Sequence, residues 1–252
     1  MKKFISFSGG VESTTMCVLF GDKADAIFAD TGFEHEELYN RLLLVENKVQ
    51  EIHGNDFKII KVRRDGETLP EYIKSSKFYP SFGARFCTRM YKIEPIDDYL
   101  EQFESEGAEI LIGLNSDEAD DRTGNYMDLK WVTYSYPLID AGVNREMCKS
   151  ILSHVGLLPN FPAYMKRGGC IGCYMKSKKE FQAMAVLNPK EYDAVADLEE
   201  TIQDKRDKFF HIIDSIPNLK DFKRHAQSIL FHPEEIYPTI NNATKCGVFC
   251  HR

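Results

Sequence analysis

The sequence predicts an α/β protein in which a parallel sheet carries helices on both faces, followed by a helical, cysteine-bearing C-terminal region. Three observations predict it. Short apolar runs alternate with helix-periodic segments over roughly the first 140 residues, the connections are short, and a Gly-Gly turn separates the first run from the first helix. Strands joined by helical crossovers pair in parallel and are covered on both faces, so they read as near-continuous apolar runs.

Taken in order, Lys3 to Phe7 forms the first strand and Ser8-Gly9-Gly10 breaks it. A helix follows, with Thr14, Met16, Val18 and Leu19 in its span. Ala24 to Ala29 is the second strand, ended by Asp30-Thr31-Gly32. From His35 to Ile52, Leu38, Leu42, Val45 and Val49 recur at helical spacing. Phe57 to Val62 is a third strand, Lys92 to Glu106 a helix and Glu109 to Leu114 a fourth strand. From about Val143 the alternation stops. Asn144 to Val155 is helical, with Gly156 as its C-cap. A Pro/Gly-rich stretch from Leu158 to Gly172 leads into helices over Lys178 to Leu187 and Lys190 to Ser215. The chain thus divides into an α/β domain over residues 1–140 and a helical region over residues 141–252. There is no internal repeat.

Composition narrows the class. With 43% hydrophobic and 28% charged residues, disordered and fibrous classes are excluded. No apolar run reaches the roughly 18–20 residues of a membrane span. The chain turns polar by Ser8, too soon for the apolar region of a signal peptide. A cytoplasmic protein with no membrane partner is expected. The net charge of −7 opposes bulk attraction to nucleic acid. The basic clusters at Lys61 to Arg64, Lys166-Arg167, Lys176 to Lys179 and Lys205 to Lys208 read as solvated faces. Seven cysteines, an odd number, argue against a disulfide framework and leave metal or redox use open for the close pairs. Cys17 and Cys148 sit within helices and read as core packing.

The turn after the first strand has the makings of a phosphate cradle. In Ser8-Gly9-Gly10-Val11-Glu12-Ser13, two glycines let the backbone bend with its amides inward. The helix behind adds orphan N–H groups and partial positive charge. The Ser8 and Ser13 hydroxyls are donors, Ser6 stands at the strand's end, and Glu12 is a candidate magnesium ligand. A plain Gly-Gly turn capped by Ser13 satisfies the same pattern. Neither the Walker Gly-Lys-Ser/Thr nor the dinucleotide Gly-x-Gly-x-x-Gly is present. Asp30 ends a buried strand at the edge where open α/β sheets bind ligands, though an Asx-turn with Thr31-Gly32 is the plainer reading. Glu118 and Arg122 are one helical turn apart, as in a surface ion pair.

This turn resembles the Ser-Gly-Gly-x-x-Ser signature of the PP-loop ATP pyrophosphatases. Further segments follow in order. Asp30-Thr31-Gly32 with Glu36, Cys87 with Lys92-Ile93-Glu94-Pro95, Gly113 to Arg122, Tyr136-Pro137-Leu138 and Gly169-Cys170-Ile171-Gly172-Cys173 are similar to segments of the phosphoadenosine-phosphosulfate reductase branch. The resemblance spans about residues 4–190. Departures are Glu12 for the usual Asp, Asn115 for an expected arginine, and Ala119 for an expected serine. The resemblance implies a PP-loop, adenine nucleotide alpha-hydrolase-like sheet. It further implies ATP with Mg2+ bound by Ser6, Ser8, Gly9, Gly10, Ser13, Asp30, Thr31, Gly32, Lys92, Gly113, Glu118 and Arg122, with Ser8, Glu12, Ser13 and Arg122 in catalytic roles.

Within that family the chain most resembles the ATP pyrophosphatases of DNA phosphorothioation systems. This implies a cysteine desulfurase and other sulfur-modification proteins as partners and DNA as the final acceptor; tRNA thiolation is the alternative, and a homodimer is expected. Cys170 and Cys173 have the two-residue spacing of a metal chelate. By family position Cys87 is the third ligand; the fourth position is open, with Cys250 and Cys246 as candidates or one iron left free to carry sulfur. A 4Fe–4S cluster is the expected group and zinc the alternative. Two rivals remain: a sulfonucleotide reductase using Cys246 as nucleophile, since Lys245-Cys246-Gly247 resembles the reductase tail, and a subunit that senses ATP without turnover.

Overall fold

A computed structural model describes residues 1–54, 56–118, 129–166, 168–203, 210–213, 216 and 218–227. Five strands form one sheet in the order β3-β2-β1-β4-β5, every pairing parallel. They are β1 (Lys2–Ser6), β2 (Asp25–Ala29), β3 (Ile59–Val62), β4 (Ala108–Leu111) and β5 (Val132–Ser135). The chain runs outward from β1 through β2 to β3, then returns to the other side of β1 for β4. The strand order therefore reverses between β1 and β4, and the connections leaving their carboxyl ends diverge to open a crevice.

Alternate residues of the strands feed two cores. Ile5, Ala26, Phe28 and Leu111 face one apolar cluster, while Phe4, Ile27, Val62 and Ile110 face the other. The second cluster is covered by α5 (Glu94–Leu100) and the short 3-10 turn Glu101–Phe103. The first is larger. It takes in α1 (Val11–Phe20), α2 (Glu36–His53), α3 (Leu69–Ser76), α7 (Arg145–His154), α8 (Lys178–Leu187), α9 (Pro189–Gln203) and α10 (Leu219–Gln227). Each fully buried Phe or Ile contributes about 1.5–3 kcal/mol. Both faces are thus covered, as the apolar runs require.

The boundaries shift in places. The helix expected from Lys92 begins earlier, with α4 (Phe86–Thr88) passing through a π turn at Arg89–Ile93 into α5. Strand β4 ends at Leu111 rather than Leu114, and Gly113 beyond it presses against the start of α1. A Cβ there would lie 3.1 Å from Glu12 C and Ser13 N. The long helix expected from Lys190 to Ser215 is represented among the described residues by α9, Pro189–Gln203. Strand β5, helix α3 with its Thr68–Glu71 capping box, and α6 (Pro137–Asp140) were not anticipated. Cys17 and Cys148 are fully buried, as expected, and burial pushes both thiols up, Cys148 to about 11.

The C-terminal helices are tied to the sheet by polar contacts as well as apolar ones. His35 Nδ1 lies 2.5 Å from Glu191 Oε2, and the Glu36 amide donates to Glu191 Oε1 at 3.2 Å. Tyr164 Oη donates to Glu37. No helix among the described residues is long and apolar enough to cross a membrane.

Candidate functional site

The first-strand turn is built by its own sequence. Gly9 adopts φ +75°, where any side chain costs about 1–2 kcal/mol, and a Cβ there would stand 2.4 Å from Leu38 Cδ1. Gly10 is the N-cap of α1 and offers no side chain, so no cap bond engages the first-turn amides. Ser13 Oγ accepts from the Ser8 amide and lies 3.3 Å from Ser8 Oγ, closing the turn on itself. The buried side chain of Arg41 supports it from behind. Its Nε donates to Gly9 O at 2.7 Å, and one Nη donates to Thr14 Oγ1 at 3.0 Å and Leu157 O at 2.9 Å. Burial lowers the Arg41 pKa to about 10, which leaves it cationic at neutral pH.

An open cleft of about 500 Å³ lies at the carboxyl edge of β1 and β2. Its polar lining is Ser6, Ser8, Glu34 and Lys92, with Gly168 and Gly169 forming the far wall. Gly168 must be glycine-sized, since a Cβ would lie 2.8 Å from Ser8 O.

Beside the turn lies a polar knot. Asn115 is fully buried, and its Nδ2 donates to Glu12 Oε1 at 3.0 Å and Glu118 Oε2 at 2.9 Å. Arg145, the first residue of α7, pairs with Glu12. The residue that departs from the family's arginine is therefore the hub joining two expected site carboxylates. Gly113 packs against the same helix start. Glu12 faces this knot.

Asp30 closes an Asx-turn onto the Gly32 amide at 2.9 Å and accepts from Tyr39 Oη at 2.7 Å and Arg63 at 2.5 Å. Burial pushes its carboxyl up, but these donors outweigh burial and hold it below the usual range. Thr31 Oγ1 donates to Glu34 Oε1 at 2.8 Å and lies 3.5 Å from Cys170 Sγ, which itself donates to Glu34 Oε1 at 3.5 Å. Glu34 Oε2 is buried without a hydrogen-bond partner. Glu34 thus links the nucleotide-type cleft to the cysteines.

A second cleft of about 630 Å³ shares Lys92, Gly168 and Gly169 with the first, and its wall carries Cys87, Cys170 and Cys173. Burial pushes the Cys87 and Cys170 thiols up, while the Lys92 ammonium pulls both down. Tyr79 lies beneath, donating to Gly172 O at 2.5 Å. Thiols are the donors that zinc and iron–sulfur centres take, so this set fits either group by chemistry. The three sulfurs do not all lie within 4.8 Å of one another, a wider spread than one ion with bonds of about 2.3 Å would hold.

The structure therefore brings together Ser6, Ser8, Lys92 and the three cysteines around two joined clefts. It places Ser13, Gly9 and Gly10 in the turn itself, Asp30, Thr31 and Gly32 in the loop at its side, and Glu12, Gly113 and Glu118 at the knot. Arg122, Cys246 and Cys250 lie outside the described residues. Arg41, Glu34, Arg145 and Tyr79 escaped sequence reasoning. Only Glu34, inside the segment that opens with Asp30, carried a local signal.

A profile of the phosphoadenosine phosphosulfate reductase domain family matches residues 2–127. An uncharacterized protein of Methanocaldococcus jannaschii is 30% identical over 122 residues, which make up 47% of this chain. The match spans 24% of that relative's length. Among solved structures, the phosphate complex of a phosphoadenylyl-sulfate (PAPS) reductase from Candida auris aligns with a TM-score of 0.44 at 14% identity. That alignment covers 62% of this chain and 73% of the other.

Proposed function

The chain belongs to the phosphoadenosine phosphosulfate reductase domain family, and from that premise we propose that it is an ATP pyrophosphatase. It binds Mg-ATP, cleaves it between the α and β phosphates, and so drives sulfur incorporation into nucleic acid. DNA phosphorothioation is the favoured process, tRNA thiolation the alternative, and a cysteine desulfurase the sulfur source. The observation that carries this reading is the intact Gly9-Gly10 turn at the uncapped start of α1, beside the strand-order reversal. A site for a nucleotide without pyrophosphate has no need of it.

In this reading an acceptor oxygen attacks the α phosphorus and pyrophosphate leaves. Charge develops on the departing group, and donors fixed in advance stabilise it without reorganising. Here those donors are the first-turn amides of α1 and the Ser8 hydroxyl, with Ser13 holding Ser8 and Lys92 supplying an ammonium across the cleft. Glu12 and Glu118 would hold the magnesium that accompanies the phosphates, for which Arg145 must yield its place on Glu12. Cys87, Cys170 and Cys173 would hold an iron–sulfur cluster, which would handle sulfur at the mouth of the adjoining cleft.

A sulfonucleotide reductase is the second reading, favoured by the thiol-lined cleft opening directly onto the nucleotide cleft. Labelled ATP separates the two. Release of AMP and pyrophosphate, lowered at least tenfold by Gly9→Ala and Ser8→Ala with an unchanged circular dichroism spectrum, supports the first. Sulfite from an adenylyl sulfate with thioredoxin, and no pyrophosphate from ATP, would replace it with the second. Binding of ATP without products would leave a sensor.

A further inference from the structure

From Tyr72 to Ile93 the chain carries no acidic residue and five basic ones, Lys74, Lys77, Arg85, Arg89 and Lys92, in a protein whose net charge is −7. The same stretch displays aromatic rings to water. Ser81 and Ala84 exchange two backbone hydrogen bonds of 3.1 Å, so Phe82-Gly83 forms the tip of a tight paired turn. Phe82 is 71% exposed there. Its ring meets Tyr174 edge-on, with centroids 5.1 Å apart, and Tyr174 lines the thiol cleft beside Arg85. Phe78, 41% exposed, stacks at 5.5 Å on Phe86, which directly precedes Cys87.

A phenylalanine left 71% exposed on a tight paired turn buries little of its ring, and together with the exposed Phe78 it forms aromatic surface open to a partner. The charge selects the partner. Exposed rings on a stretch that carries five cations and no acidic residue of its own suit the flat bases and regular phosphates of a single-stranded polynucleotide, which binds by stacking and counterion release. A duplex hides its base faces and offers nothing to stack.

We propose that the Phe82 turn and the Phe78 ring, with Arg85 and Arg89, form a binding surface for single-stranded nucleic acid. The surface leads an unstacked base past Tyr174 toward the thiol cleft. Arg89 lies 3.2 Å from Glu94, a contact that strand binding would exchange for a phosphate. The inference rests on the proposed nucleic-acid acceptor and names where that acceptor docks.

The test is fluorescence anisotropy of the full chain with a labelled 12-nucleotide single strand, as DNA and as RNA, and with the matching duplex, at low and physiological salt. Single strand is expected to bind more tightly than duplex, and the preferred sugar identifies the acceptor. The Phe78→Ala/Phe82→Ala double variant should bind about tenfold or more weakly. Arg89→Gln should reduce the salt slope by about 0.7. Pyrophosphate release from ATP alone should be unchanged in the double variant, which also reports that it folds. Wild-type protein that releases pyrophosphate but binds neither strand would overturn the surface and leave the ATP reading standing. So would equal binding by the double variant, or a double variant that loses only its hold on purified cysteine desulfurase.

Discussion

Arg41 shows how one side chain can decide whether a glycine turn is a site. It is buried, it faces three oxygens, and no described ion pair includes it. Its cation therefore stands uncompensated behind the turn that would take a departing pyrophosphate. Arg41→Met should orphan Gly9 O and Leu157 O, each at about 1–3 kcal/mol, and weaken ATP binding at least tenfold by calorimetry. Arg41→Lys keeps the charge but cannot span the fork, so it should recover less than half of the lost binding energy. Full recovery by lysine would mean that charge alone matters and that the turn is not held by geometry. The Glu12–Arg145 pair makes a second case. Arg145→Met strands a buried carboxylate and should cost about 3 kcal/mol in denaturant unfolding, while adding Glu12→Gln should recover most of it. Additive losses in the double variant would show that the two side chains are not partnered. None of these partners was legible in the sequence. Arg41 and Leu157, or Glu12 and Arg145, are more than a hundred residues apart, and a contact at that distance leaves no mark on local periodicity.

Elements were far more legible than contacts. β1, α1, β2, α2 and β3 follow from apolar runs and from Leu38, Leu42, Val45 and Val49, because each buries a face that its own sequence must supply. β5 was missed for a physical reason: it is a four-residue strand at the sheet edge, with only Val132 fully buried. The Asp30 loop joins element to site and gives a prediction in pH. Tyr39, Arg63 and the Gly32 amide hold the Asp30 carboxyl below its unfolded value despite burial. Its stabilisation is thus fully present above about pH 3.9, the ordinary carboxylate value, and is lost as pH falls through the lower folded value. Asp30→Asn should flatten that acid limb in a pH series of thermal melts. A limb of unchanged slope would assign it to other carboxylates.

At the scale of the whole molecule, the line drawn near residue 140 separates two patterns in the sequence, but the apolar core runs across it. Ile5, Met16 and Val45 from the sheet side share one cluster with Cys148, Leu152, Phe181 and Leu198. Helix α7 packs along α1, so its removal would expose the face of the helix that begins at the Gly-Gly turn. The wall of the first cleft at Gly168 and Gly169, and two of the three thiols of the adjoining cleft, also come from beyond the line. Site and core therefore need both halves. A chain ended at Asp140 would lose α7, α8, α9 and α10 from the larger cluster, leaving the buried surface of α1 and α2 in water. Such a chain is expected to collect in the insoluble fraction, or to show no cooperative transition, while the full chain melts with one midpoint by both tryptophan fluorescence and circular dichroism. Trp131 precedes β5, on the far side of the sheet from the C-terminal helices, so coincident midpoints would join the two faces in one unit. A soluble 1–140 chain with a sharp transition of its own would instead make the sheet an independent domain, with the cysteine-bearing helices docked upon it.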